Sequence, residues 1–240
     1  MRYLIKISYD GSKFFGFQRL KGKKSIQGEL ERVLTKINKT IVVVKGAGRT
    51  DRGVHAYDQG VSFDLNVNIT ESGLKSAMNS LLDPAIHVND CMVVDDKFHA
   101  RFDVKMKTYE YIINVGDYDP IINDYVYNYN HELNIKAMKK AIKSFIGIHS
   151  FEAFASGERE SYNSIIYKVK ITKKNDLLYI RFVGKSFYRY MVRNMVGALM
   201  SVGMNKNDST CIKELLSERY NTINYTTVPA NGLYLTKVEY

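Results

Sequence analysis

Apolar residues recur along this chain with two distinct periods. Tyr3, Ile5, Ile7 and Tyr9 alternate and share one face of an opening strand. Ser25 then stands as a helix cap before Ile26, Leu30, Val33, Leu34 and Ile37, which fall at helical spacing. The β-branched run Ile41 to Val44 reads as a short buried strand, and Val61, Phe63, Leu65 and Val67 alternate as another. Thr70 opens a second helix carrying Leu74, Met78, Leu81 and Leu82, which Asp83-Pro84 stops, and Ile86 to Val94 reads as a strand. The order predicted for the first half is β-α-β-β-α-β.

The second half predicts the same order. A strand over Val104–Val115 precedes a helix whose face is Ala137, Met138, Ala141, Ile142, Phe145 and Ile146, ending at Gly147. Ile165–Ile171 and Leu177–Val183 read as a hairpin around Lys173-Lys-Asn-Asp176. A helix over about Phe187–Val202 follows, with a shorter one at Ile212, Leu215 and Leu216, and Gly232 to Tyr240 closes as a strand. The fold class expected is α+β, with two tandem ferredoxin-like βαββαβ halves, residues 1–103 and 104–240, whose sheets join around a central cleft. A single mixed sheet without duplication is the simpler alternative.

Charge narrows the partner. The 240 residues hold 35 Lys and Arg against 25 Asp and Glu, a net charge of +10, which suits a polyanion as well as an ordinary basic protein. Residues 1–103 carry 16 basic and 12 acidic residues and the remainder 19 and 13, so no detachable basic tail accounts for the excess. Cys91 and Cys211 are isolated and the five histidines form no close ligand pair, which speaks against a structural metal site. No signal segment or long apolar run is visible, and a cytoplasmic protein is expected.

Chemistry concentrates in Lys45-Gly-Ala-Gly-Arg-Thr-Asp-Arg-Gly-Val-His-Ala56. Its glycines allow tight turns, yet Asp51 stands where a dinucleotide fingerprint needs glycine, and Val54-His55 stand where a phosphate loop needs Lys and Ser or Thr. What remains is a carboxylate flanked by Arg49 and Arg52 on a bent backbone, either catalytic or merely turn-forming.

Gly48-Arg-Thr-Asp-Arg-Gly-Val-His-Ala56 resembles the catalytic signature of TruA-type tRNA pseudouridine synthases, and further similarities follow in order. These are Tyr9-Asp-Gly-Ser-Lys-Phe-Phe-Gly-Phe-Gln18, Ser25 to Glu31, Phe98 to Phe102, Lys107 to Tyr111, Gly147 to Phe154, Met191 to Gly197 and Pro229 to Leu235. The resemblance implies the pseudouridine synthase fold and a cofactor-independent isomerisation of uridine, with no metal. Asp51 would be the essential carboxylate, Tyr109 the tyrosine stacked on uracil and Arg193 the arginine paired with Asp51. Arg49 would help extrude the target nucleotide, and Leu233 would floor the uracil. It implies a homodimer acting on uridines of the tRNA anticodon stem-loop. The same reaction on another RNA such as rRNA, or a catalytically silent RNA-binding protein, are the alternatives.

Two cationic stretches differ in promise. Lys13, Arg19, Lys21, Lys23 and Lys24 form a run without an acid from Gly11 to Lys24, with Phe14, Phe15 and Phe17 interleaved, as phosphate contact beside an aromatic anchor requires. Lys136, Lys139, Lys140 and Lys143 read as the solvated side of a helix. Arg189 and Arg193, spaced i and i+4, are expected on one helix face.

Overall fold

The computed structural model describes residues 1–217 and 223–240 and resolves two compact units, Met1–Lys105 with Tyr234–Tyr240, and Met106–Leu233. The first break falls beside the expected 103/104 division, but the closing strand lies with the first unit instead of the second. Side-chain pattern alone carries no partner for a terminal strand; a backbone ladder with residues 55–56 supplies one.

In the first unit, β1 (Arg2–Tyr9) buries Tyr3, Ile5, Ile7 and Tyr9, as their alternation requires. Ser25 caps α1 (Ile26–Asn38) by accepting from the Gly28 N–H, and Leu30, Val33 and Leu34 are buried on its inner face. None of the residues 41–44 expected as a strand is one; the two-residue β2 (Lys45–Gly46) follows them. The β-branched run is a connecting segment that buries Val42 and Val44 while Ile41 and Val43 face solvent. It has the side-chain alternation of a strand without the ladder partners. β3 (His55–Asp64) begins directly after the glycine-rich segment. α2 (Glu71–Leu81), capped by Thr70, packs on β4 (Ile86–Val94). β1 runs antiparallel to both β3 and β4.

The second unit is built on β5 (Met106–Asn114), with the two-residue β6 (Tyr127–Asn128) parallel to its end. α3 (Ile135–Ala141) passes into a 3-10 turn at Ile142–Phe145, so the helix expected to reach 146 tightens in its last turn. β7 (Gly147–Ser150) follows, a strand the sequence pattern does not predict. β8 (Asn163–Lys174) and β9 (Leu177–Gly184) form the expected hairpin, turning through Asn175, whose φ is 51°. The strands run β5-β9-β8-β7, all antiparallel.

α4 (Met191–Gly203) is buried at every position except Arg193. It is therefore a central helix, buried nearly all round. Its start differs from the one expected. Tyr190 takes a left-handed conformation (φ 61°) and ends the preceding turn, so Arg189 lies outside the helix and shares no helical face with Arg193. α5 (Cys211–Leu216) completes the unit. Finally β10 (Leu233–Glu239) lies parallel to β3 in the first unit, with Tyr234 opposite His55 and Leu235 opposite Ala56. Within the first unit the strands thus run β4-β1-β3-β10. Among the described residues no helix is long and apolar enough to cross a membrane.

Candidate active site

In the first unit the residues around Asp51 are held by their backbone. Gln59, wholly buried on β3, donates from Nε2 to the Gly48 carbonyl at 2.9 Å. The Phe17 N–H donates to the Thr50 carbonyl at 3.0 Å, and the Val54 N–H to the Asp51 carbonyl at 3.2 Å. Thr50 Oγ1 meets the Tyr9 hydroxyl at 2.8 Å. Burial pushes that hydroxyl well above the ordinary tyrosine range, so it stays protonated and available as a donor. Gly16 (φ 92°) lies so close beneath that a Cβ there would sit 2.9 Å from the Thr50 carbonyl oxygen. Only glycine serves both the conformation and the approach. Asp51 itself is half-buried, between the exposed Arg49 and Arg52.

His55, in the same motif, is structural. Its Nδ1 accepts from the Gly11 N–H at 3.1 Å, and its ring stacks on Tyr234 with centroids 4.7 Å apart. An Asp10 carboxylate oxygen lies 3.3 Å from the same nitrogen.

The acid-free run at 11–24 is less free in space than in sequence. Arg19 pairs with Glu31 at 2.8 Å and Lys24 with Asp83 at 2.6 Å; Lys24 holds the Asp83 carboxyl below its usual range through that hydrogen bond. Lys23 lies 4.9 Å from the centre of the Phe15 ring, which Arg52 also covers at 4.4 Å. Lys13 and Lys21 are exposed and make no ion pair among the described residues. Of the three phenylalanines, Phe14 and Phe17 are core, and only Phe15 reaches the surface. The expected aromatic anchor is therefore one ring, already stacked on by two cations.

In the second unit, Tyr109 on β5 is 8% exposed and sets its ring edge-on to Phe187 at 5.0 Å. Arg193 occupies the first turn of α4. Its Nε donates to the Val228 carbonyl at 2.8 Å, and its guanidinium lies 4.9 Å from the Tyr190 ring centre. Asn194 next to it ties the same strap, donating to the Phe154 carbonyl at 2.8 Å and accepting from Thr227 Oγ1 at 2.6 Å. Tyr111, buried below, donates to the Pro229 carbonyl at 2.7 Å, and burial raises its hydroxyl well above the usual range against the pull of Arg193. Leu233 is buried where β10 begins, its N–H bonded to Ala230. A guanidinium is thereby fixed in direction on the one unburied position of an apolar helix.

A family model described as tRNA pseudouridine synthase matches residues 5–103 and 141–240. The chain belongs to the tRNA pseudouridine synthase family. Relatives named "tRNA pseudouridine synthase A" agree: one from Thermosipho africanus is 39% identical over 99% of this chain and 98% of its own. Another, from Pseudothermotoga lettingae, is 40% identical over 100% of this chain and 99% of its own, and one from Borrelia turicatae is 37% identical over 100% and 99%. Asp51, Arg49, Arg193 and Leu233 fall within the residues matched by the synthase family model, whereas Tyr109 falls in the intervening stretch.

Sequence pattern does not disclose the bed under the synthase motif. Gln59 is the clearest case, since a polar residue inside the otherwise apolar inner face of a strand needs a buried partner. Its position in His55–Asp64 is a visible signal; its partner, the Gly48 carbonyl, is not.

Proposed function

We propose that this chain isomerises uridine to pseudouridine in tRNA, at the anticodon stem-loop, with Asp51 as the essential carboxylate. Membership of the synthase family supports the isomerase class, and the observation that carries the residue assignment is the pinned backbone on both sides of Asp51. A carboxylate whose neighbours are fixed by Gln59, Phe17 and Tyr9 meets a reacting nucleotide without a further cost of ordering the loop.

In the reaction, the N1–C1′ glycosidic bond breaks, the uracil rotates, and C5 bonds to C1′. The proton on C5 leaves and N1 gains one, so composition and oxidation state are unchanged. The proposed roles follow the chemistry of each group. Arg193 is the cation that keeps Asp51 ionised. Tyr109 is the aromatic face for the uracil and the base at C5. Arg49, exposed beside the loop, takes the place of the extruded nucleotide in the stack, and Leu233 gives the base an apolar floor. Lys13 and Lys21 are phosphate contacts, with Arg19, Lys23 and Lys24 contributing less because their charges are already engaged. The assembly proposed is a homodimer.

Release of tritium from tRNA carrying 5-tritiated uridine tests the reaction directly. The wild-type chain should release label, and mapping the product should place it in the anticodon stem-loop. Wild-type protein that binds tRNA but releases none would overturn the assignment. Sedimentation of the free protein tests the dimer.

A further inference from the structure

An open cleft of about 580 Å³ lies in the second unit, between the start of α3 and the turn that follows α4. Lys136 and Lys140 enter it from α3, one helical turn apart, and Lys206 enters from the turn after α4. All three are exposed, and Lys136 and Lys206 make no ion pair among the described residues. Among the described residues the single acid of the lining is Asp208. Its Oδ1 is occupied by the Thr210 N–H at 2.6 Å and the Thr210 hydroxyl at 2.7 Å, and those bonds hold its carboxyl below the usual range, with Lys140 adding to the effect. Three lysines against one engaged carboxylate leave the cleft cationic.

Its framework is tied together by hydrogen bonds. Asn134 caps α3 by accepting from the Ala137 N–H at 3.0 Å, and its own N–H donates to the Gly203 carbonyl at 2.7 Å. Its Nδ2 also donates to Asn205 Oδ1 at 2.9 Å. The Lys206 and Asn207 N–H groups both return to the Ser201 carbonyl, which fixes the turn carrying Lys206. Among the described residues no aromatic lines the cleft, and the groups that do are not ones on which a nucleobase stacks. Lysine ammonium groups and asparagine amides suit phosphate and ribose oxygens instead. The helix α4 runs from Arg193 near one end to Val202 in the cleft wall, nine residues later, a separation of about 14 Å along its axis.

We infer that the Lys136/Lys140/Lys206 cleft is a second anchor for the RNA, gripping its phosphodiester backbone without reading bases, at a distance from the reacting uridine. This rests on the proposed action on tRNA and adds to it an anchor that sets affinity alone. Two of the four lysines on the polar side of α3 and its 3-10 extension are thereby distinguished from Lys139 and Lys143, which do not line the cleft.

The test is the salt dependence of tRNA binding by the full-length protein. Replacing the three residues together (Lys136→Ala, Lys140→Ala, Lys206→Ala) should flatten the slope of log affinity against log salt by about two to three units, one for each phosphate no longer neutralised, and raise KM for tRNA. The change Lys139→Ala with Lys143→Ala should flatten it by less than about one unit. Arginine at the three positions should restore the wild-type slope. An unchanged slope in the triple alanine protein, with its melting temperature intact, overturns the inference. So does loss of inorganic phosphate binding alongside an unaltered tRNA slope, since the cleft would then hold a free anion. Tritium release by the wild-type protein, run in parallel, separates this failure from failure of the enzyme reading.

Discussion

The Asp51 loop and the basic run at 11–24 touch each other in the first unit, where the Phe17 N–H of the run bonds the Thr50 carbonyl of the loop. Around Asp51 the Gly48 and Thr50 carbonyls accept from Gln59 and from the Phe17 N–H, and the Thr50 hydroxyl meets that of Tyr9. In the basic run three of the five cationic side chains are engaged within the protein, Arg19 by Glu31, Lys24 by Asp83 and Lys23 by the Phe15 ring. A site for bond-making needs its reacting group placed to within fractions of an ångström, which a fixed backbone supplies. A surface for phosphates needs only charge at roughly the right distance, so its lysines tolerate other partners.

The sharpest way to break this contrast is Asp51→Ala. Pseudouridine formation should fall by about 10³-fold or more, while tRNA affinity and its salt slope stay at wild-type values. Retention of substantial turnover in a tritium-release assay would remove Asp51 from the chemistry. Gln59→Leu keeps the volume and deletes the support for the Gly48 carbonyl. We expect kcat to fall about 10- to 100-fold with KM little changed, because the loop loses its placement while every RNA-facing side chain remains. A rise in KM alone would show that the loop is held for binding instead.

The basic run should respond in affinity only. Lys13→Ala with Lys21→Ala should flatten the salt slope by about two units, and Lys23→Ala with Lys24→Ala by about one or less, since the latter charges are spent within the protein. Equal effects from the two pairs would show that Asp83 and Phe15 release their cations when RNA arrives.

A smaller effect distinguishes buried bed from surface by pH. Burial pushes the Cys91 and Cys211 thiols up to about 11 and raises the Tyr9 hydroxyl in the same direction. Above pH 9 the unfolded chain sheds protons that the folded chain keeps, so folding loses stability as pH rises toward 11. Denaturant midpoints should therefore drop between pH 8 and pH 10.5, by an amount that the Lys→Ala changes leave alone. A flat profile would mean that these groups are accessible in the native state.

Much of the fold was legible because it is local. The caps at Ser25 and Thr70, the alternation in β1, and the β8–β9 hairpin each follow from a few neighbouring residues. The errors fall where a neighbour distant in sequence decides. Ile41 to Val44 has strand-forming residues and no ladder. The helix expected from Phe187 begins only at Met191, since the Phe187 ring packs on Tyr109, the Tyr188 hydroxyl is drawn to the Asn163 carbonyl, and Tyr190 turns left-handed. The candidate site divides the same way. Asp51 and Arg193 stood out by motif, whereas Gln59 and the Val228 carbonyl that aims Arg193 did not.

By itself the sequence determined the family, the element order in the first unit and the residue on which the reaction is proposed to turn, because motif order and hydrophobic period are properties of the chain as written. Tertiary structure alone decided which charges are spent and which remain. Glu31 is 12 residues from Arg19 and Asp83 is 59 from Lys24, and Lys206 reaches the cleft of Lys136 and Lys140 only because α4 ends beside the start of α3. It alone also sent the final strand to β3. Hydrogen-bond ladders and ion pairs act over a few ångströms, and which residues come that close is set by packing and not by their order along the chain.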